Sequence, residues 1–294
     1  MNILSLFDGM SCGRIAAERA GFEVENYYAS ELDKYAIKVT QANWPETIQL
    51  GDVTKWREWD IDWSSIDLLI GGSPCQGFSF AGGQLAFDDP RSALFFVYRD
   101  ILNHIKSVNP EVKFMLENVR MKKEYLDVIS DQLSVQPLLI NSALVSAHSR
   151  PRYYWANWDF EAPEDKGLAI SDIKQSDADD KYYLSEKLLA GFARKRERRK
   201  HMNSGFDKLN VRSDTDKVSC LTARYFKMSM SDPYLDQEGV RKLTPIECER
   251  AQTVPDGYTD KGVSNTQRYK MLGNGWTVDV IAHIFNSLQS KKDL

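Results

Sequence analysis

Between residues 1 and 120 short apolar runs alternate with helix-length segments, a pattern best satisfied by a parallel sheet covered by helices on both faces. The first run ends at Leu6 and opens into FDGMSCG, after which a helix is expected from about Gly13 to Ala20, stopping at Gly21. A strand from Val24 to Ser30 ends at Glu31, a helix stops before Pro45, and a short strand near Ile48 ends at Gly51-Asp52. IDLLIGG at 66–72 is a continuous apolar run, read as a buried central strand that opens into SPCQGFSFAGGQ. A helix over about 92–105 leads to the strand VKFMLENV, and further strands are expected near 135–145 and 152–157.

With 294 residues, 42% apolar and 27% charged, the chain is long enough for one large α/β domain with an appendage or two modest domains, and disorder is excluded. No apolar run is long enough for a membrane span and no secretory signal fits, so the expectation is a soluble, cytoplasmic protein. Cysteines at 12, 75, 220 and 248 show no CxxC grouping, which argues against a zinc site or a disulfide framework. A net charge of -4 does not by itself nominate a nucleic-acid binder, although a total can hide a local patch. From Asp159 to Gly239 the sequence turns polar and charge-dense, and we read 159–240 as an inserted small domain between a core at 1–158 and a returning segment at 241–294. In LTPIECERAQ, Thr244 and Pro245 form a helix start with Glu247 at the capping-box position, and a last helix is expected from about Trp276 to Gln289.

In a doubly wound sheet ligands sit beyond the carboxyl ends of the strands. Gly9 and Gly13 permit a sharp turn and close approach to backbone, Phe7 offers a ring face, Glu31 stands where an acid accepts from two ribose hydroxyls, and Asp52 could accept from an adenine amine. Asp8, Glu31 and Asp52 could equally be helix caps or solvated loop acids. The glycines do not form GxGxxG and the first loop is acidic, which disfavours a dinucleotide or phosphate-bearing ligand and favours a cationic nucleoside such as S-adenosylmethionine.

Cys75, in the glycine- and proline-rich loop after the central strand, has the setting of a reactive thiol, and Glu117 ends the next strand. A thiolate beside a carboxyl that can protonate a ring nitrogen is equipped to add to a pyrimidine, whereas Glu117 alone could be a cap or an ion-paired acid.

Together these stretches resemble the DNA cytosine-5 methyltransferases. FDGMSCG, ASELD and GDV are similar to the first three motifs of that family, GGSPCQGFSFAG to its nucleophile loop, LENV to its acid motif and SRPRYYWAN to its paired-arginine motif. RKLTPIECERAQ resembles the motif after the recognition domain, and YKMLGNGWTVDVI the C-terminal cofactor motif. The resemblance implies a Rossmann-like class I methyltransferase fold, with a mixed, mostly parallel sheet and a small target-recognition domain. It implies Cys75 as nucleophile, Glu117 as the acid at ring N3, Arg152 at the O2 oxygen, and Arg150 supporting that loop or reaching the nucleotide. Arg-x-Arg alternation suggests one strand face and a common target for the two arginines; phosphate binding or a surface ion pair is the alternative.

For S-adenosylmethionine the resemblance implies Phe7, Asp8, Gly9, Met10 and Gly13 in the first loop. Glu31 would take the ribose, Leu32 the adenine face, and Asp52 and Val53 its amine edge, with Ser73, Pro74, Leu94, Asn274 and Trp276 nearby. Trp276 also reads as a core residue of the last helix. No metal is implied. The partner implied is double-stranded DNA with the target base flipped out, the loop of about 78–93 closing over it. Gln84, Thr222, Arg224 and Lys227 become candidate DNA contacts; CLTARYFK is similar to the end of family recognition domains. RKRERRK at 194–200 sets six cations around Glu197, which suits a phosphate track or a solvated helix face. His148-Ser149 and Gly275-Trp276 look closer to animal de novo enzymes, while QGFSFAG is of bacterial style, a combination expected of a prokaryotic or phage enzyme, with or without a restriction endonuclease acting on the same site. The alternatives are a related enzyme acting on tRNA and a non-catalytic DNA-binding homologue.

Overall fold

The computed structural model describes residues 1–74, 93–199, 211–227, 233–235 and 239–289. By compactness the chain divides into two units, one of Met1–Asn141, Pro151–Pro163 and Val278–Leu294, the other of Ser142–Arg150 and Glu164–Thr277.

The first unit is built on a seven-stranded sheet of β1 (Asn2–Leu6), β2 (Asn26–Ser30), β3 (Ile48–Gln49), β4 (Leu68–Gly71), β5 (Lys113–Val119), β6 (Leu138–Asn141) and β7 (Pro151–Ala156), in the order β3-β2-β1-β4-β5-β7-β6. From β3 through β5 every pairing is parallel, and β7 runs antiparallel to both its neighbours. The mixed, mostly parallel sheet that the family resemblance implied is therefore present, with IDLLIGG supplying β4 at its centre.

Helices α1 (Cys12–Arg19), α2 (Lys34–Asn43), α3 (Ala93–Val108), α4 (Lys123–Leu133) and α9 (Val278–Gln289) belong to this unit. Helix α3 buries Phe95, Tyr98, Ile101, Leu102 and Ile105, spaced at three and four residues along one stripe, against Leu4, Leu6, Leu69, Phe114 and Leu116 of the sheet. Fully buried Trp155 joins this core, and its indole N–H donates to Ser130 Oγ at 3.0 Å, so the polar tip carries no desolvation penalty. Helix α4, between β5 and β6, was not anticipated from the sequence. The last helix begins at Val278, leaving Trp276 in the turn before it.

The second unit contains α5 (Ile170–Ile173), α6 (Glu186–Arg199), α7 (Pro245–Ala251), α8 (Asn265–Asn274) and the two-stranded β8 (Tyr234–Leu235) and β9 (Val240–Arg241). The capping box at the start of α7 forms as expected: Thr244 Oγ1 accepts from Glu247 N at 3.1 Å and Glu247 Oε2 from Thr244 N at 2.7 Å. Glu247 also takes a bidentate ion pair from Arg241 (2.8 and 2.6 Å), both side chains wholly buried, plus Gln175 N at 2.8 Å. Every oxygen of this buried carboxylate is thus satisfied, the condition under which an interior ion pair is tolerated. Helix α8 is another element the sequence reading missed. No helix among the described residues is long and apolar enough to cross a membrane.

Candidate active site

Strand order reverses beside β1: the chain goes from β1 outward to β2 and β3, then returns to place β4 on the other side of β1. Loops leaving β1 and β4 therefore diverge, opening a crevice at the carboxyl edge of the sheet. Register aligns Ser30, Leu6, Gly71 and Leu116 in one row, so Glu31, Phe7, Gly72 and Glu117 all stand one residue beyond it. Four strands spread over the first 120 residues thus deliver their chemistry to one edge.

The loop after β1 is wound by left-handed residues at alternate positions, Phe7 (φ 59), Gly9 (φ 60) and Ser11 (φ 61). At Phe7 and Ser11 that conformation costs about 1–3 kcal/mol each and must be held from outside. Asp8 holds it. Its N–H donates to Ser30 O at 3.2 Å, while its inward-turned carboxyl accepts from Tyr27 Oη–H at 2.7 Å and from Ser11 Oγ, which itself lies 2.9 Å from Thr40 Oγ1. Burial raises the Asp8 pKa from 3.8 to about 6 against the opposing hydrogen bonds from Ser11, Ser5 and Tyr27, with the Glu31 charge adding to the rise. A Cβ on Gly9 would meet nothing within 4 Å, so the outer side of the turn is open. Met10 is buried, and Gly13 is buried within α1.

Glu31 is pinned by three backbone donors: Gly9 N on Oε2 at 2.7 Å, and Leu32 N and Asp33 N on Oε1 at 2.8 and 2.7 Å. Both lone-pair sites of Oε1 are thereby taken, and Oε2 keeps one. Leu32 beside it is 69% exposed, unusual for a leucine. Asp52 is an N-cap, one of the alternatives its sequence position allows: Oδ1 accepts from Thr54 N at 2.9 Å and Thr54 Oγ1 at 2.8 Å, bonds that lower its pKa. Val53 puts its side chain in the core, leaving only backbone for a ligand.

On the other side of the crevice, Gly71 is required by close packing: a Cβ there would come within 3.0 Å of the Tyr98 ring and 3.1 Å of Leu6 O. The chain continues through buried Ser73 to half-buried Pro74. Cys75 and Gln84, with most of the 78–93 loop, lie outside the described residues. Leu94, in the first turn of α3, is half-buried against the core.

Asn118, which sequence reasoning quoted within LENV but gave no role, donates from Nδ2 to Ser73 Oγ at 3.1 Å and to Ser73 O at 3.4 Å, fastening the segment that precedes Cys75 to the end of β5. Glu117, next to it, is ion-paired: Arg152 Nε lies 3.0 Å from Glu117 Oε1, the side chains 13% and 10% exposed. Register explains the contact, because β5 and β7 pair Val119 with Arg152 and Glu117 with Tyr154, making Arg152 the diagonal neighbour of Glu117 on one face.

The common target suggested for the two arginines is not what their contacts give. Arg150 precedes β7, belongs to the second unit, is buried, and donates from Nη1 to Leu221 O at 3.1 Å, with Cys220 Sγ at 3.7 Å. Alternation along a strand fails here because the strand starts only at Pro151.

Within the second unit Thr222, Arg224 and Lys227 are exposed whereas Leu221 and Tyr225 between and beside them are buried. Asn274 is exposed at the end of α8 and Trp276 is half-buried. Gln252 spans this turn, donating to Leu272 O at 2.7 Å and Gly275 O at 3.1 Å and accepting from Thr277 Oγ1 at 2.7 Å; nothing in its sequence context marks it. Helix α6 carries the first six residues of RKRERRK, and Arg194 is exposed; the side chains of 195–200 lie outside the described residues.

Known proteins are similar to this chain over most of its length. The type II methyltransferase M1.ScrFI of Lactococcus lactis subsp. cremoris is 33% identical over 95% of this chain and 75% of its own length, and M.NlaX of Neisseria lactamica 32% identical over 98% and 96%. Among solved structures, the Entamoeba histolytica methyltransferase EhMeth superposes with a TM-score of 0.79 at 19% identity, over 99% of this chain and 98% of that one, a likeness of fold. The family model described as C-5 cytosine-specific DNA methylase matches residues 1–134 and 140–290. Both units are covered by that match, and the chain belongs to the C-5 cytosine-specific DNA methylase family.

Proposed function

We propose that this protein transfers a methyl group from S-adenosylmethionine to C5 of a cytosine flipped out of duplex DNA, through a covalent adduct on Cys75. The observation that carries the reading is the Glu117–Arg152 pair at the end of β5, whose neighbour Asn118 fastens the segment leading into Cys75.

The crevice residues suit the methyl donor. Glu31, held by three N–H groups, has one acceptor site left on Oε2 for a ribose hydroxyl, exposed Leu32 offers an apolar face to adenine, and Asp52 and the Val53 backbone suit its amine edge. Phe7 and the open side of Gly9 leave room for the rest, with Ser73, Pro74 and Leu94 opposite. Asp8, Met10 and Gly13 would act by shaping the loop. Asn274 and Trp276 join this set on the resemblance of YKMLGNGWTVDVI. When bound, S-adenosylmethionine supplies an electrophilic sulfonium methyl.

Cytosine C5 is too weak a nucleophile to take that methyl directly. The Cys75 thiolate adds to C6, forming the C6–S bond and pushing the C5–C6 π pair into an enamine whose negative charge reaches N3 and O2. Glu117 holds a proton at N3, and Arg152 faces the O2 oxygen as charge develops there. C5 would then form its bond to the methyl carbon as that carbon's bond to the donor sulfur breaks, the thioether S-adenosylhomocysteine being the leaving group; loss of the C5 proton to a base and breaking of the C6–S bond restore the aromatic ring and the free thiolate. Thr222, Arg224, Lys227 and Gln84 would contact DNA, in a recognition domain over about 159–240. The type II bacterial relatives support a cytoplasmic enzyme of a prokaryote or phage, with or without a restriction endonuclease acting on the same site.

The test is transfer of labelled methyl from S-adenosylmethionine to duplex DNA and to tRNA, followed by bisulfite sequencing. Label in cytosine of one short DNA motif is expected. Label in tRNA alone would replace this reading with the tRNA enzyme, and no label in either would leave a non-catalytic homologue.

A further inference from the structure

We infer that His148, with Arg150, clamps the segment that presents Thr222 and Arg224, and that His148 and Gly273 are positioning residues setting DNA affinity and target discrimination. The inference deepens the DNA-methyltransferase reading above and rests on it.

Val218–Tyr225 is held along its length. At its start the segment pairs with residues 147–149: Val218 N donates to Ala147 O at 2.7 Å and Ser149 N to Val218 O at 2.9 Å. Next, both backbone groups of Leu221 are taken by side chains two residues apart. Leu221 N donates to His148 Nε2 at 2.8 Å, and Leu221 O accepts from Arg150 Nη1 at 3.1 Å. All three residues are buried, His148 completely. Because Nε2 accepts, the imidazole carries its proton on Nδ1 and is neutral.

Directly after the clamp the chain lies on α8. A Cβ on Gly273 would fall 2.1 Å from Thr222 C, 2.3 Å from Thr222 O and 2.3 Å from Ala223 N, backbone atoms that cannot swing aside as a side chain could. One turn earlier on the same helix face, Tyr269 meets the ring of Tyr225 at 5.5 Å, and Tyr225 Oη accepts from Leu243 N at 2.9 Å. Between these anchors Thr222 and Arg224 are left exposed. A backbone fixed on both sides spares its exposed side chains the ordering cost of binding and confines them to one geometry, which is what discrimination between similar sites requires. Residues 148–152 therefore carry both the clamp and, four residues on, Arg152.

The experiment compares wild type with His148→Leu, His148→Gln and Gly273→Ala. KM for a duplex bearing the motif found by bisulfite sequencing, methylation at off-target cytosines in genomic DNA, and calorimetric affinity for S-adenosylmethionine are measured. His148→Leu leaves the buried Leu221 N–H without its acceptor, so KM for DNA rises roughly five- to fiftyfold. The ratio of target to off-target methylation falls, while cofactor affinity stays unchanged. The Gln variant, which restores an acceptor oxygen, recovers part of the loss. Gly273→Ala displaces Thr222 and reproduces the same signature from the other side. Unchanged KM and discrimination in these variants, or a loss confined to cofactor affinity, overturns the inference. Should His148→Leu fail to fold, His148→Gln and Gly273→Ala decide by the same measurements. A wild-type protein that methylates no DNA overturns the underlying reading as well; an active wild type with indifferent variants overturns the clamp alone.

Discussion

Arg152 Nε sits 3.0 Å from Glu117 Oε1, across two antiparallel strands whose register makes the residues diagonal neighbours. The arginine arrives from β7 and the acid from β5, so the pair is preassembled by the sheet. Glu117→Gln keeps the size and a hydrogen bond to Arg152 but cannot hold a transferable proton, so single-turnover methyl transfer should slow by roughly 10²–10⁴-fold. DNA affinity should hold; an equal loss in DNA affinity with the transfer rate intact would assign Glu117 to binding.

Glu31→Ala removes the acceptor assigned to the ribose and releases the N–H groups of Gly9, Leu32 and Asp33. Calorimetry should show S-adenosylmethionine bound roughly ten- to hundredfold more weakly. An unchanged dissociation constant would reject the cofactor crevice as drawn.

Asp8 makes stability pH-dependent in a direction opposite to that of a surface acid. Its folded carboxyl keeps its proton up to about pH 6, against an ordinary value of 3.8. Between those values the folded state binds more protons than the unfolded, so this group's contribution is fully present at low pH and is lost as pH rises through about 6. Asp8→Asn keeps an acceptor for Tyr27 without the buried charge. The melting temperature of the variant minus that of wild type should therefore increase from pH 4 to pH 7; a difference that stays flat across that range would contradict the burial of this charge.

Arg241→Ala strands Glu247 as a buried, unpaired carboxylate. Denaturant unfolding should report a loss of about 3–5 kcal/mol. A loss below about 1 kcal/mol, the range of exposed ion pairs, would mean that the pair is solvated.

How far the sequence revealed this molecule depended on whether burial and apolarity coincide. β1, β4 and β5 each carry a run of buried apolar residues, Ile3–Leu4, Leu68–Ile70 and Phe114–Leu116, and each was legible. Helix α8 was not, since its buried face includes Arg268, neutralised by Glu249 at 3.1 Å, and no hydrophobic period registers a charged residue that tertiary pairing makes tolerable. Helix α4 buries only Ile129, Ser130 and Leu133, a stripe too narrow to stand out. The crevice acids were found because strand ends are visible in sequence. That Asp8 turns inward toward Tyr27, and that Arg150 reaches Leu221, are tertiary facts with no local signature.

The most direct test of the central claim is denaturing gel analysis of the protein incubated with S-adenosylmethionine and a duplex carrying 5-fluorocytosine at the target base. Fluorine at C5 cannot leave as a proton does, so wild-type protein should be trapped covalently on the duplex and Cys75→Ala should not. Trapping that persists in the Cys75→Ala protein, or wild-type methyl transfer that never yields a trapped species, would contradict the account.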